Sequence, residues 1–140
     1  MNDGPAIREA VAADAEAIAR LIALLDHSVR IDGLRERLQR PQGTTLVTTL
    51  GGEVVGLCGL DIVTHIHRDS PVGRITILAV AEGHRGVGVG RMLVDEAERR
   101  LRDAGCGLVE ITSNRRHAAA HDFYIHLGYE QPSLRFAKRL

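Results

Sequence analysis

Three alternating glycines in the middle of the chain form the segment best suited to binding a ligand. The segment is His84-Arg85-Gly86-Val87-Gly88-Val89-Gly90-Arg91, between an apolar run that ends at Val80 and a helical pattern. Glycine lets backbone N–H groups approach a ligand closely, and the N-terminus of a helix attracts anions. The pattern therefore predicts a phosphate-binding loop; the alternative is a turn that needs glycine only for its geometry.

Two common phosphate-binding motifs do not match this loop. A Walker loop continues Gly-Lys-Ser/Thr, whereas Gly90 is followed by Arg91 and Met92. A dinucleotide fingerprint needs a third glycine three residues after the second, where Arg91 or Leu93 stands here. These mismatches exclude a P-loop and a Rossmann fingerprint.

The elements that must position the loop follow from the hydrophobic periodicity. We predict strands over residues 6–11, 44–50, 53–63, 74–80, 108–113 and 134–140. We predict helices over residues 18–25, 29–40, 88–104 and 117–127. The link Gly51-Gly52 indicates a hairpin, so the first half is an antiparallel meander. The strand, helix and strand around the loop predict a parallel βαβ unit.

Length and charge limit the classes of function. A chain of 140 residues has the size of one domain, so we expect a single domain over residues 1–140. Its 18 basic and 18 acidic residues balance, which favours neither nucleic acid nor an anionic membrane as partner. The two cysteines lie far apart in apolar stretches, and no leader or membrane-spanning run is evident. We therefore expect a cytoplasmic protein.

Two motifs together resemble the GNAT superfamily of acetyl-CoA-dependent N-acetyltransferases. Arg85-Gly86-Val87-Gly88-Val89-Gly90 resembles its Arg-x-x-Gly-x-Gly loop, and Asn114 is followed by Ala120, Phe123, Tyr124 and Leu127-Gly128-Tyr129 as in its second signature. The resemblance covers the whole chain in element order. It implies a mixed α/β (α+β) GNAT fold with about six to seven strands, an antiparallel N-terminal meander, a βαβ acetyl-CoA-binding core and about four helices.

The resemblance also implies a set of residues that bind acetyl-CoA. The glycine loop would bind the diphosphate, and pantetheine would pair with the strand edge where two parallel strands splay apart. The implied residues are Leu78, Ala79, Val80, Arg85, Gly86, Val87, Gly88, Val89, Gly90, Arg91, Asn114, Ala120, Phe123 and Tyr124. The N–H of Val80 would stabilise the developing oxyanion.

Tyr124 is the residue that we expect to act as general acid. A tyrosine near the thioester can protonate the departing thiolate, because its pKa is not far from that of a thiol. The alternative is a core role, since Ala120, Phe123, Tyr124 and Leu127 form an apolar stripe at helical spacing. Asn114 would bond to the cofactor or cap the last helix.

The general base departs from the family pattern. Many members carry a glutamate on the strand that corresponds to 74–80, but this strand has Arg74 and Thr76 and no carboxylate. His65 and His67 are the first substitutes, because residues two apart on a strand share a face and neutral imidazole accepts protons near pH 7. Asp61 and Glu110 are weaker candidates.

Metal binding is not supported by the sequence alone. His65 and His67 could bind a divalent cation with Asp61 or Asp69, but a closed site needs about four ligands and we predict none. His117 lies one helical turn from His121, and we interpret both as solvated or cofactor-side residues.

The acceptor is expected to be the primary amine of a small molecule. The segments 52–56, 64–67 and 128–136 resemble aminoalkylphosphonate N-acetyltransferases most, so an anionic amine is the first hypothesis. Arg68, Arg74 and Arg135 could bind its acid group. The alternatives are acetylation of a protein N-terminus, lysine or aminoglycoside, and a non-catalytic acetyl-CoA sensor. Pairing through an exposed C-terminal strand predicts a homodimer.

Overall fold

Five strands, four α-helices and two short 3-10 helices (Ala12–Asp14 and Glu82–His84) make up the regular structure that this computed structural model describes, within residues 4–40, 43–113 and 116–140. The strands are β1 (Ala6–Glu9), β2 (Thr44–Leu50), β3 (Glu53–Val63), β4 (Val72–Val80) and β5 (Leu108–Ile111). The helices are α1 (Ala15–Ala23), α2 (Ile31–Leu38), α3 (Val89–Asp103) and α4 (Ala118–His126). None of these helices is long and apolar enough to span a membrane.

The mixed topology predicted from the sequence is confirmed. The strands form one sheet in chain order; β1 to β4 are antiparallel, and β5 runs parallel to β4 after the crossover through α3. Gly51 and Gly52 connect β2 to β3, and both have positive φ, as a tight two-residue hairpin turn requires.

The predicted closing strand over residues 134–140 is wrong. These residues have no regular structure, and Phe136 is 90 % exposed. Within the described residues, no backbone hydrogen bond joins them to the sheet. Alternating side chains make a strand only when a neighbouring edge accepts its hydrogen bonds, and none does so here. The sheet therefore has five strands, not six or seven, and β5 ends at Ile111 rather than at residue 113.

The two faces of the sheet pack against different helices. The face towards α3, here called the α3 face, buries residues of four elements: Leu46, Cys58, Leu60, Ile75, Leu93 and Leu101. The opposite face, here called the α1/α2 face, buries Val47, Leu57 and Ala79 against Ile18, Leu21 and Leu34. Each face therefore has its own apolar core, and side chains that alternate along a strand belong to different cores.

A β-bulge interrupts the pairing of β4 with β3. Gly59 pairs with Ile77 and Leu60 pairs with Ile75, so Thr76 is an extra residue in β4. Pairing of β4 with β5 ends at Ile75, the residue just before the bulge. A bulge bends its strand and increases the local twist, which accounts for the separation of the two parallel strands at this point.

Gly59 is the residue that makes room for this bulge. A Cβ at position 59 would lie 2.5 Å from the Thr76 hydroxyl and 3.1 Å from Ile77 Cγ2. We predict that Gly59→Ala lowers the free energy of unfolding by about 1 to 3 kcal/mol, the usual cost of overpacking. Urea denaturation measures this. Gly83→Ala is the control, because a Cβ there meets nothing within 4 Å; equal stability of the two variants would contradict the proposed constraint.

Candidate active site

A wedge between β4 and β5 is the central feature of the candidate site. The two strands pair only from Val72 to Ile75 of β4, so the rest of β4 has no partner on that side among the described residues. The N–H of Ala81 donates to the Val55 carbonyl on the β3 side, at 2.9 Å. Because alternate residues of a strand face opposite edges, the N–H groups of Leu78 and Val80 face the wedge. Ala79 faces β3 instead.

The glycine loop lies at the wide end of this wedge. Gly86 and Gly88 have φ of 79° and 92°, conformations that side chains rarely adopt. The Gly88 carbonyl accepts the first helical bond of α3, from Met92 at 3.0 Å. Within the described chain, the N–H groups of Val89, Gly90 and Arg91 have no hydrogen-bond acceptor. They are free to bind an anion at the positive end of the helix dipole.

Arg85 connects the loop to the strand edge. Its Nε donates to the Val80 carbonyl at 3.2 Å, and its side chain is exposed. This contact occupies the carbonyl of Val80 on the wedge side but leaves its N–H available.

Helix α4 approaches the wedge from the α3 face through a few specific contacts. None of its residues is fully buried. The ring of Phe123 lies against the loop, since a Cβ at Gly90 would be 3.3 Å from Phe123 Cζ and 3.7 Å from Val80 Cγ2. The hydroxyl of Tyr129 donates to Glu98 Oε2 of α3 at 2.7 Å and fixes the end of α4. Ala120 is half-buried on the same helix.

Tyr124 is half-buried on α4 beside Tyr129, with ring centroids 6.2 Å apart. Burial raises the pKa of Tyr124 to about 12, and the nearby Cys58 thiol adds to this effect. Cys58 pairs with Leu78 across β3 and β4 on the α3 face, so this interaction puts Tyr124 on the same face as that pair. Its hydroxyl stays protonated throughout the neutral range and can donate a hydrogen bond.

The segment between α1 and α2 contacts the start of α4. Asp26 has a positive φ of 62°, and its Oδ2 lies 3.5 Å from Arg116 Nη2 and 3.8 Å from His117 Nε2. The interpretation of His117 as a solvated or cofactor-side residue did not include this contact with Asp26. Spacing in sequence gave no signal of this long-range contact.

The structure places His65 and His67 away from the wedge. β3 ends at Val63, so both lie in the turn that follows rather than on one strand face. Their rings are 5.4 Å apart because the turn, closed by Arg68 N–H to the His65 carbonyl, brings them together. This turn is at the Val72 end of β4, roughly 20 Å along the strand from Leu78 at about 3.3 Å per residue. Strand alternation was therefore the wrong reason to pair them.

A row of charged side chains crosses three strands where the wedge begins. Asp61 of β3 pairs in register with Arg74 of β4, which pairs in register with Glu110 of β5. Arg74 Nε and Glu110 Oε1 are 3.2 Å apart, and the two side chains are 42 % and 45 % exposed. Sequence reasoning named these residues but missed the row, because their positions are 13 and 36 residues apart and only strand register brings them together.

Other residues named from the sequence fall outside the wedge. Arg68 lies in the exposed turn with His65, and Arg135 in the exposed C-terminal segment. Asn114 lies outside the described residues. Within the described residues, no group of three or more His, Cys, Asp or Glu side chains could hold a metal ion.

Comparison with known proteins agrees with the architecture. Residues 10–129 match the model of the acetyltransferase (GNAT) family. The chain is 33 % identical to the aminoalkylphosphonate N-acetyltransferase of Salmonella typhimurium, over 96 % of this chain and 90 % of that protein. It is 31 % identical to the aminoglycoside N(6')-acetyltransferase type 1 of Stenotrophomonas maltophilia, over 91 % and 87 % of the two chains.

A solved structure shares the fold at lower identity. An aminoglycoside N-acetyltransferase in complex with CoA superposes with a TM-score of 0.85 and 18 % identity, over 100 % of this chain and 97 % of that chain. At this identity the similarity shows the fold alone.

The positive φ of Gly88 generates a prediction about the loop. We expect Gly88→Ala to weaken acetyl-CoA binding about tenfold, because the left-handed conformation costs a residue with a Cβ about 1 to 2 kcal/mol and the N–H groups turn away. Isothermal titration calorimetry measures the dissociation constant. Gly105→Ala is the matched control, with φ of 88° at the other end of α3. If Gly88→Ala bound as tightly as Gly105→Ala, the loop would not be the anion site.

Proposed function

The chain belongs to the GNAT acetyltransferase family, and we propose that it transfers the acetyl group of acetyl-CoA to the primary amine of a small anionic molecule. The observation that carries the proposal is the wedge, which offers two free N–H groups of β4 and lies beside the glycine loop, with the half-buried Tyr124 on the neighbouring helix. The family match makes the chain an acetyl-CoA-dependent N-acetyltransferase, so the open alternatives concern the acceptor.

The wedge and the loop divide the binding of acetyl-CoA between them. In our proposal the N–H groups from Gly86 to Arg91 and the side chains of Arg85 or Arg91 bind the diphosphate. The pantetheine follows the open edge of β4 in place of the missing β5 partner. The thioester is at the end of the pantetheine arm that is furthest from the diphosphate. It therefore lies nearest the narrow end of the wedge, where β4 and β5 separate.

This direction determines which N–H meets the thioester. Leu78 is closer to the bulge than Val80 and has the same orientation, so we assign the oxyanion contact to the Leu78 N–H. Val80, which we expected from the sequence, then pairs with the pantetheine. One such contact contributes about 3 kcal/mol in the enzymes where it has been measured.

Tyr124 acts in this proposal as the donor to the departing sulfur. With its pKa raised to about 12, the hydroxyl is a weaker acid than a thiol, for which about 8.5 is usual. It therefore stabilises the thiolate by a hydrogen bond more than by complete proton transfer. The apolar stripe that suggested a core role is compatible with this, since burial is what raises the pKa.

The anionic acceptor is supported by the similarity to the aminoalkylphosphonate N-acetyltransferase of Salmonella typhimurium and by Arg74. Nε of Arg74 faces Glu110, which leaves the other guanidinium donors for an acid group. Of the three arginines named from the sequence, Arg74 is the one at the wedge.

An aminoglycoside is the second candidate acceptor. The Stenotrophomonas relative supports it, and so do Asp61 and Glu110, because two carboxylates favour a polycation.

We also propose one domain over the whole chain, a cytoplasmic location and a homodimer. For the homodimer, the outer edge of β5 offers an unpaired strand in the described part of the sheet.

Thiol release from acetyl-CoA tests the acceptor and the donor together. We expect kcat/KM for 2-aminoethylphosphonate to exceed that for ethylamine and for an aminoglycoside by at least about tenfold, since a charge-assisted hydrogen bond contributes roughly 1.5 to 3 kcal/mol. Assays with EDTA and with added divalent cations test for a metal requirement.

Tyr124→Phe should lower kcat about 100-fold with an unchanged dissociation constant for acetyl-CoA. Preference for the aminoglycoside would reject the anionic acceptor, and full activity of Tyr124→Phe would reject the donor.

A further inference from the structure

We propose that Glu110 of β5 is the general base, which takes the proton of the acceptor ammonium directly or through one water. The inference rests on the proposed acetyl transfer. It assigns to β5 the carboxylate that β4 lacks.

The side chain of Glu110 is on the face where an acceptor can enter. Val109 and Ile111 pack against the core of the α3 face, so Glu110 between them points to the α1/α2 face. Arg74 points the same way, because its neighbour Ile75 belongs to the α3-face core. The ion pair of Arg74 with Glu110 at 3.2 Å agrees with both placements.

This part of the α1/α2 face is open. The core beneath α1 and α2 includes Ile77, Ala79 and Ala81 of the β4 end. Before Ile77, Thr76 is exposed and Arg74 is half-exposed. The helices therefore cover the wide end of the wedge and leave a polar floor at its narrow end, which an acceptor can occupy.

The position along β4 also fits. Arg74, level with Glu110, is four residues from Leu78, about 13 Å of strand at most. The acceptor and the Glu110 side chain span this gap, whereas His65 and His67 lie roughly 20 Å away along the strand. Because Tyr124 approaches from the α3 face, Glu110 acts on the acceptor amine and Tyr124 on the departing sulfur from opposite faces of the sheet.

The charge of the row matches an ammonium group. Asp61 and Glu110 place two carboxylates around one guanidinium, so the row carries a net negative charge at the position proposed for the acceptor amine. Arg74 Nε holds the Glu110 carboxylate in place, which makes Arg74 a positioning residue for the base as well as a donor to the acid group of the acceptor.

The proton balance is complete without another reactant. Glu110 takes one proton from the ammonium and passes it to solvent. The free amine then forms the N–C bond while the C–S bond breaks. The second proton of the nitrogen passes through water to the thiolate and neutralises it. The products are the acetamide, the CoA thiol and one released proton.

The test compares Glu110→Gln with wild type over pH 7 to 10, with 2-aminoethylphosphonate as acceptor and subtraction of acetyl-CoA hydrolysis. At pH 7 we expect kcat/KM to fall about 100-fold, as for loss of a general base. The ratio of wild type to variant should shrink below about tenfold near pH 10, because the free-base fraction of a primary amine with a pKa of about 10.4 rises from below about 0.1 % at pH 7 to roughly 30 % at pH 10. A merely structural role would give a ratio that does not change with pH. The dissociation constant of acetyl-CoA reports that the variant is folded.

The matched control is Glu9→Gln, which alters another strand glutamate paired with an arginine, Arg100 at 3.7 Å, on the far edge of the sheet. We expect its activity to equal wild type at every pH. A constant ratio for Glu110→Gln, or the pH-dependent loss in Asp61→Asn instead, would overturn the assignment. Wild type that is inactive on every amine would reject the acetyl-transfer proposal itself.

Discussion

The bulge at Thr76 determines where β4 leaves β5, and the candidate site depends on that separation. Pairing of the parallel strands stops at Ile75, one residue before the extra residue. Without the bulge, β5 could continue along β4 and occupy the N–H groups of Leu78 and Val80. The bulge requires glycine at position 59 of β3, because a Cβ there would collide with Thr76. One small residue on a neighbouring strand thus keeps an edge of the sheet free for a ligand.

The bulge also changes which face each side chain of β4 occupies. Ile75 packs in the α3-face core, whereas Ile77, two residues later, packs against the core under α1 and α2. A regular strand would place both on one face. The shift puts the charged side chain of Arg74 and the apolar side chains of Ile77 and Ala79 on the same face. Helices cover the apolar part, and the charged part stays accessible beside the wedge.

The predictable part of the fold was the part encoded locally. Periodicity, the Gly51-Gly52 hairpin and the glycine loop are short-range patterns, and they gave the topology and the loop. The segment 134–140 failed because alternation does not reveal whether an edge is available. The row from Asp61 to Glu110 could not be predicted, because strand register brings together residues that are distant in sequence. The shared strand face predicted for His65 and His67 was wrong, because β3 ends before them and a spacing of two places side chains on one face only within a strand.

Amide hydrogen exchange of Leu78 and Val80, measured by NMR with and without acetyl-CoA and in the absence of an acceptor amine, tests the central claim most directly. Both N–H groups face the wedge and have no β5 partner, so each should exchange at least about tenfold more slowly when acetyl-CoA is bound, Val80 through the pantetheine and Leu78 through the thioester carbonyl. Val72 and Ile75, already in the paired part of β4, should change little. Tight binding of acetyl-CoA without added protection of Leu78 and Val80 would show that the cofactor does not lie along this edge, and would contradict the account.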